Sequence, residues 1–300
     1  MRFGRDDQAD ASQVDDRRGG GGFNFPGGGW GAGAGGLGLV GTLIVVAIQL
    51  LGGHVTVADD PSLGDPEAPG GPASPSGSAN PALGGSCEGA SSSRDQAKFV
   101  SCVETNIQAF WRSKLPRYTP SKLVLFTDRT PSGCGMASAA TGPFYCPEDS
   151  EVYLDLGFFN ELHARFGARG GDFAEAYVVS HEYGHHVQDL LGIEKRYRAA
   201  VARNPSQGNA LSVRLELQAD CFAGVWGNSA YDSGKVAASE VADALDAAAA
   251  VGDDRIQEEM SGRVRPEKFT HGSAAERQRW FKTGMTSGDP DACDTFGGHL

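Results

Sequence analysis

The sequence has little positive charge and lacks the motifs that mark several large classes of protein. Its 300 residues carry a net charge of −12, and Lys and Arg form no basic cluster. Nucleic-acid binding depends on clustered basic side chains, so the charge pattern argues against a nucleic-acid partner. Six Cys are too few for a disulfide-dense scaffold. No phosphate-binding loop, dinucleotide fingerprint, Ser-His-Asp order or internal repeat is recognisable.

Lys and Arg are absent altogether from residues 19–93, and Gly is concentrated in the same part of the chain. Residues 1–93 hold 23 of the 43 Gly. The stretch 62–93 is rich in Pro, Gly, Ser and Ala, a composition that buries too little apolar surface to fold. We therefore expect a disordered linker over residues 54–93 and a folded domain over residues 94–300.

One apolar run interrupts this part of the chain. No charged residue occurs between Gly19 and Ala58. Residues 32–53 would form a helix about 33 Å long, which is enough to cross a hydrocarbon core of ~30 Å. A cleaved signal peptide fits less well, because the segment before the apolar run is too long for an n-region. The sequence therefore predicts a transmembrane helix over residues 32–53.

The basic residues near the ends of this run predict its orientation. Four Arg precede the run, and no Lys or Arg follows it before Arg94. Basic residues are retained on the cytoplasmic side of a membrane. We therefore expect a single-pass protein of the cell membrane, with a cytoplasmic Gly-rich tail over residues 1–31 and the domain 94–300 outside the cytoplasm. That compartment can be oxidising, which suits an even number of Cys.

The folded part contains a helix, then strands, then further helices, an order typical of the α+β class. Hydrophobic periodicity, capping patterns and Gly or Pro punctuation set the element bounds. The predicted strands are 122–127, 142–146 and 151–155. The predicted helices are 93–115, 158–166, 173–191, 213–228, 240–251 and 273–282.

The helix predicted over 173–191 contains an H-E-x-x-H motif, His181-Glu182-Tyr183-Gly184-His185. A spacing of four residues places both imidazoles on one helix face, where they can bind one metal ion. Glu182 is not placed as a ligand but lies beside the water that the metal would bind. Zn²⁺ lowers the pKa of such a water toward ~7, so a carboxylate can take its proton. We therefore predict a zinc site with Glu182 as general base.

A catalytic zinc site also needs a third protein ligand and one open position. The predicted helix 213–228 carries Glu216-Leu-Gln-Ala-Asp220, whose two carboxylates share one face. Glu216 would complete a set of two His and one Glu, as in gluzincins. Asp220 would orient a ligand imidazole from behind. Two solvated acids on an exposed helix are the alternative interpretation.

His271, just before the last predicted helix, is a weaker candidate. It could donate a hydrogen bond to the oxyanion that forms during peptide hydrolysis. Alternatively, its ring satisfies a buried carbonyl and fixes the helix start. The sequence leaves both roles open.

The six Cys can pair in several ways. We favour Cys134–Cys146, which closes a short loop at a strand pair. Cys221–Cys293 would then tie the C-terminal tail to the Glu216 helix. This leaves Cys87–Cys102 at the entrance of the domain.

Five blocks of sequence resemble the putative neutral zinc metallopeptidase family of bacterial membrane proteins. The blocks are SGCGMASAATGPFYCP at 132–147, VYLDLGFF at 152–159, SHEYGHHVQ at 180–188, RLELQADCFAG at 214–224 and FTHGSAAERQRWF at 269–281. The resemblance covers about residues 94–296 and the Gly-rich N-terminal tract. It implies a zincin-like domain and metal-dependent proteolysis at the cell envelope. By it, His181, His185 and Glu216 match the zinc ligands, and Glu182 matches the catalytic acid.

These observations together predict a membrane-anchored zinc peptidase that cleaves protein or peptide substrates. In this hypothesis Glu182 activates the water, and the strand 151–155 pairs with an extended substrate. Two alternatives are a non-catalytic, zinc-stabilised binding module on a membrane tether and an amidase acting on cell-wall peptides. An open coordination position in a cleft would favour an enzyme, whereas a fourth protein ligand would favour the binding module.

Overall fold

The computed structural model describes residues 1–18 and 79–297. The predicted transmembrane helix 32–53 lies outside these ranges, as do the Gly-rich tract 19–36 and most of the predicted linker. Within the described ranges, no helix combines the length and the apolar character that crossing a membrane requires.

The described residues form the mixed α and β architecture that the order of elements predicts. The helices are α1 Gln96–Lys114, α2 Gly157–Phe166, α3 Asp172–Leu190, α4 Ile193–Arg203, α5 Gly208–Asp232, α6 Ala238–Ala250, α7 Asp253–Ser261 and α8 Ala274–Ser287. The strands are β1 Gln8–Ala9, β2 Val14–Asp16, β3 Gly85–Ser86, β4 Lys122–Phe126, β5 Arg129–Ser132, β6 Gly135–Ser138, β7 Phe144–Cys146 and β8 Glu151–Asp155.

Four strands form the largest sheet, in the order β2-β4-β8-β7. β2 and β8 both run parallel to β4, and β7 runs antiparallel to β8. The run from Leu123 to Phe126 is buried at every position, as expected for a central strand covered on both faces. Two short antiparallel pairs, β1–β3 and β5–β6, form two further sheets.

The folded body extends beyond the expected start at residue 94. β1 and β2 come from the first 18 residues, which the sequence analysis assigned to a tail. β3 and a disulfide at Cys87 come from the expected linker. Composition failed here because these segments are short, and each gains its hydrogen bonds from partners far away in the sequence.

Helices α5 and α8 approach each other closely through two glycines. A Cβ on Gly224 would overlap the carbonyl oxygen of Phe281, and a Cβ on Gly284 would overlap that of Cys221. Helix backbones can come this close only where side chains are absent. The contact aligns the two helices, and Arg277 in the first turn of α8 reaches Asp220, one turn beyond the candidate metal ligand Glu216 on α5.

Candidate functional site

Helices α3 and α5 bring the predicted metal ligands together. His181 and His185 lie on one face of α3, and Glu216 lies on α5. His181 Nε2 is 3.1 Å from Glu216 Oε2, and His185 Nε2 is 3.5 Å from Glu216 Oε1. One ligand atom from each residue lies within 4.8 Å of the others, and all three residues are buried. The three side chains therefore lie together, as the spacing of the two motifs predicts.

Each ligand imidazole is held by its other ring nitrogen. Asp220 Oδ1 lies 2.8 Å from His181 Nδ1, and Gln188 Oε1 lies 2.8 Å from His185 Nδ1. These acceptors fix Nδ1 as the donor in each ring and leave both Nε2 atoms as metal donors. Gln188 is itself oriented, because its amide donates to the carbonyl oxygen of Leu215 at 2.7 Å. Asp220 thus lies where the sequence predicts, whereas Gln188 was not predicted.

Glu182 is buried at the same site without acting as a ligand. Its Oε1 atom has no hydrogen-bond partner among the described residues. A buried carboxylate oxygen without a hydrogen-bond partner is costly, and a water bound in the site would supply the missing partner. Two imidazole nitrogens and one carboxylate are donors that suit zinc, and no further His, Cys, Asp or Glu joins them in the described part of the chain. The cluster therefore fits zinc with a coordination position left open.

Burial and charge act against each other on the titrating groups of the metal-free site. Burial disfavours the charged form of His181, but Asp220 and Glu216 outweigh it and raise the pKa of the imidazole to about 10. Burial also opposes ionisation of Glu216, yet the neighbouring imidazoles of His185 and His181 hold its pKa well below the usual range. Burial raises the pKa of Glu182, which favours proton uptake by this carboxyl.

We expect zinc affinity to rise with pH. His181 must lose a proton to bind metal, and its pKa in the metal-free protein is about 10. At pH values below this pKa, each displaced proton raises the apparent affinity by up to about tenfold per pH unit. For the same reason, charged His181 stabilises the metal-free protein below pH ~6.5, and this contribution is lost as pH rises toward the folded pKa. Competition with a chelator at three pH values measures the slope, and a flat profile would contradict the prediction.

Gly184, inside the motif, permits the close approach of α3 and α5. A Cβ at this position would lie 2.9 Å from the carbonyl oxygen of Ala219 and 3.0 Å from its Cα. Ala219 lies between Glu216 and Asp220 in sequence, so this contact sets the distance between the two helices at the metal ligands. Glycine lowers the stability of a helix by roughly 1 kcal/mol relative to alanine, and this is the energetic cost of the close contact between α3 and α5.

We expect Gly184→Ala to destabilise the protein and weaken zinc binding, because α5 must shift away from α3. Overpacking costs about 1–3 kcal/mol, and the improved helix propensity offsets about 1 kcal/mol of it. Gly208→Ala is the matched control, since a Cβ there would meet only Val201 Cγ1, at 3.7 Å. Thermal unfolding with and without zinc compares the two variants. Equal zinc affinity in both would show that this contact does not position the ligands.

Two buried residues behind the site were not predicted. Arg277 Nε donates to Asp220 Oδ2 at 2.8 Å, and the Tyr177 hydroxyl donates to Asp220 Oδ1 at 2.6 Å. Arg277 is 1% exposed and Asp220 is fully buried. The guanidinium balances the charge of the carboxylate that holds His181. The sequence did carry a signal, because Arg277 shares the face of α8 on which Ala274 and Phe281 are buried.

His271 lies on the loop before α8, which packs against α5 near the candidate ligand Glu216. A Cβ on the next residue, Gly272, would contact Leu217 and Val213, which flank Glu216 on α5. The charge of His271 is among those that lower the pKa of Glu216, although burial opposes the shift. His271 Nδ1 lies 3.2 Å from Asp253 Oδ1.

Asp253, at the start of α7, holds the loop that carries His271. Its Oδ2 accepts the backbone N–H groups of Thr270, His271 and Gly272 at 2.7, 2.7 and 3.0 Å. No described residue hydrogen-bonds the other ring nitrogen, Nε2. The loop is therefore fixed, and one polar atom of the imidazole is left for another partner.

The three favoured cysteine pairs are all present. The structure contains Cys87–Cys102, Cys134–Cys146 and Cys221–Cys293. The third closes the longest loop, with 72 residues of separation, and joins the C-terminal segment to α5 one residue beyond Asp220. It therefore braces the helix that carries the candidate metal ligand Glu216.

Comparison with known families identifies the class of protein. Residues 1–296 match the family described as "Putative neutral zinc metallopeptidase", and the chain therefore belongs to it. The family implies Zn²⁺ as cofactor, and His181, His185 and Glu216 are the residues that would hold it.

Relatives of the chain occur in distant bacteria. The Escherichia coli (strain K12) protein named "Uncharacterized protein YpfJ" is 46% identical over 219 residues, covering 71% of this chain and 76% of that protein. "Uncharacterized protein Rv2575" of Mycobacterium tuberculosis (strain ATCC 25618 / H37Rv) is 49% identical over 220 residues, covering 67% and 72% respectively. No solved structure matches the chain.

Proposed function

We propose that the protein is a zinc-dependent peptidase that hydrolyses peptide bonds outside the cytoplasm. The observation that carries this proposal is the buried Glu182 carboxylate, whose Oε1 lacks a partner beside a cluster of three metal ligands. A zinc site that only stabilises a fold is closed by four protein ligands and needs no such carboxylate. The binding-module alternative is therefore disfavoured.

The residues of the site divide the chemistry among them. Zinc, when bound, supplies a Lewis acid that polarises the scissile carbonyl and makes a coordinated water more acidic. Glu182 takes the proton of the attacking water on its carboxylate and later delivers it to the nitrogen of the departing amine. Asp220 and Gln188 keep the two ligand imidazoles in the required orientation.

His271 would act on the substrate carbonyl. Its Nδ1 donates to Asp253, so Nε2 carries a proton only in the imidazolium form of the ring. In that form Nε2 can donate to the oxygen that becomes negative during hydrolysis. The Asp253 carboxylate and the three backbone donors to it keep the ring in place. The His271→Ala variant distinguishes this role from a purely structural one.

We expect His271→Ala to lower turnover by about 10²–10³ while zinc content and melting temperature stay nearly constant. His271→Gln retains a side-chain N–H and should recover part of the rate. Steady-state kinetics, zinc analysis and thermal unfolding are measured on the same samples. A large loss of stability with unchanged turnover per folded molecule would assign the residue to structure alone.

The substrate would bind along β7 rather than along the strand that the sequence analysis suggested. β8, Glu151–Asp155, lies between β4 and β7 and has no free edge for a peptide. β7 is the edge strand on that side, and the Tyr145 hydroxyl donates to Asp189 Oδ2, on α3, at 2.9 Å. An extended peptide adding to β7 would therefore lie near the motif helix.

The proposed location rests on the three disulfides and on the uncharged stretch 32–53. Disulfides persist in compartments outside the cytoplasm. The stretch would associate the protein with the cell membrane, as its apolar character and lack of charge predict. Release of the intact chain from membranes by alkaline carbonate would contradict this part of the proposal.

The experiment that tests the function offers the purified, zinc-loaded protein a panel of folded proteins, unfolded proteins and cell-wall peptides. Cleavage of peptide bonds in unfolded protein, abolished by a chelator and restored by zinc, is expected. Cleavage confined to cell-wall peptides would support the amidase alternative. Zinc binding without hydrolysis of any member would favour a binding module.

A further inference from the structure

The first 18 residues are part of the same folded unit as the zinc site. β2 is a strand of the main sheet, with Val14, Asp15 and Asp16 opposite Leu123, Val124 and Leu125 of β4. The backbone N–H of Arg17 continues the pairing by donating to the Leu125 carbonyl at 2.8 Å. Val14 is 1% exposed and belongs to the main apolar core.

Contacts outside the sheet hold the same segment. The ring of Phe3 packs edge-on against Phe99 of α1, with centroids 6.2 Å apart. The carboxylate of Asp7 pairs with Lys235 Nζ at 2.6 Å, and its carbonyl accepts from the Cys87 N–H at 2.9 Å. Cys87 is disulfide-bonded to α1 through Cys102. The N-terminal segment is thus packed against elements spread over the whole domain.

The arginines that predicted a cytoplasmic N terminus have partners inside this unit. Arg5 pairs with Glu88 at 3.3 Å, Arg17 with Asp15 at 2.8 Å and Arg18 with Asp16 at 2.7 Å. The guanidinium of Arg17 also donates to the Thr130 hydroxyl and the Pro131 carbonyl on β5. Arg17 and Arg18, which are partly buried, therefore have a structural role that does not depend on membrane orientation.

The two ends of the described ranges, near residues 18 and 79, lie at one place. The structure describes residues up to 18 and again from 79 onward, on either side of the uncharged stretch. Asn80 Nδ2 donates to Asp16 Oδ2 at 2.8 Å, which joins the two ends directly. Whatever lies between them, both ends are fixed to the same edge of the sheet.

We infer that residues 1–18 and 79–297 lie on the same side of the membrane. A cytoplasmic tail joined to an extracytoplasmic domain, as the charge bias predicts, would leave β4 without its neighbour β2 and separate Asp7 from Lys235. The inference therefore replaces the single-pass topology, because a chain that crosses a membrane once has its two flanking parts on opposite sides. The inference rests on the membrane association proposed above, but not on peptidase activity or on which side the domain occupies.

The first test asks whether the N-terminal segment is docked in native membranes that contain the full chain. A carbodiimide joins a carboxylate to an amine in direct contact, so it should link Asp7 to Lys235. The linked pair is identified as one cross-linked peptide by mass spectrometry. Lys235→Arg keeps the ion pair but cannot form the amide, and it is the matched control. Absence of the link from the wild-type protein in membranes, with the link formed by the detergent-purified protein, would overturn the inference.

The second test determines, in intact cells, on which side of the membrane residues 1–18 and residues 79–297 each lie. Asp6 and Lys195 are exposed, and neither has a described side-chain partner, so each can be replaced singly by cysteine. A membrane-impermeant maleimide is expected to label both Asp6→Cys and Lys195→Cys. Labelling of Lys195→Cys alone would overturn the inference. Protection of both until the cells are lysed would support a common side and contradict the proposed extracytoplasmic location.

Discussion

Replacing Glu182 by glutamine is expected to lower turnover by about 10²–10⁴ and to leave zinc bound. The amide has nearly the size of the carboxylate, so the packing of α3 is retained. It cannot accept the proton of the attacking water, however. His181, His185 and Glu216 are untouched, and the metal-free variant should bind zinc with the affinity of the wild type. Kinetics on unfolded protein substrate, together with zinc analysis of the same samples, measure both quantities.

Glu175→Gln is the matched control for this variant. Glu175 lies two turns earlier on α3, where its carboxylate accepts hydrogen bonds from Gln96 at 3.0 and 3.1 Å. The same chemical change on the same helix should leave turnover unchanged, because this side chain faces α1 rather than the zinc ligands. Wild-type turnover in Glu182→Gln would refute its role as general base, and loss of zinc would reveal a role in metal binding instead.

The sequence predicted the part of the site that depends on local geometry. The spacings of His181 with His185 and of Glu216 with Asp220 each follow from the period of one helix, so a pattern of four residues was enough. The joining of the two helices could be inferred only from chemistry, because a catalytic zinc needs a third ligand. Gln188 and Arg277 were missed since their roles depend on which side chains face them across a helix contact.

The limits of the fold prediction have the same origin. β8 and the bounds of α3 and α6 were predicted to within two residues, and those of α1 to within three, because each contains a periodic apolar run. β1, β2 and β3 contain two or three residues each and carry no such pattern. They exist because distant segments provide their hydrogen-bond partners, so the first 18 residues were assigned to a tail by composition alone.

The buried ion pair between Asp220 and Arg277 lies behind the site, and breaking it should have a large effect on stability. Asp220 receives Arg277 Nε at 2.8 Å on one oxygen and Arg277 Nη2 at 3.0 Å on the other. The third guanidinium nitrogen, Nη1, donates to the Val251 carbonyl at 3.2 Å. Burial opposes ionisation of Asp220, and the charge of Arg277 helps to keep its pKa below the usual value. Removing the arginine alone would leave a buried carboxylate without its counter-charge.

We expect Arg277→Met to lower the free energy of unfolding by about 3–5 kcal/mol, which is the usual cost of breaking a buried pair from one side. Arg279→Met is the matched control on the same helix, because Arg279 is exposed and its substitution should cost no more than about 0.5 kcal/mol. The double variant Asp220→Asn with Arg277→Met removes both charges. It should be less destabilised than Arg277→Met, because no uncompensated charge remains buried. Chemical denaturation of the four zinc-loaded proteins measures these differences. Equal stability of Arg277→Met and Arg279→Met would show that the Asp220 charge does not depend on Arg277.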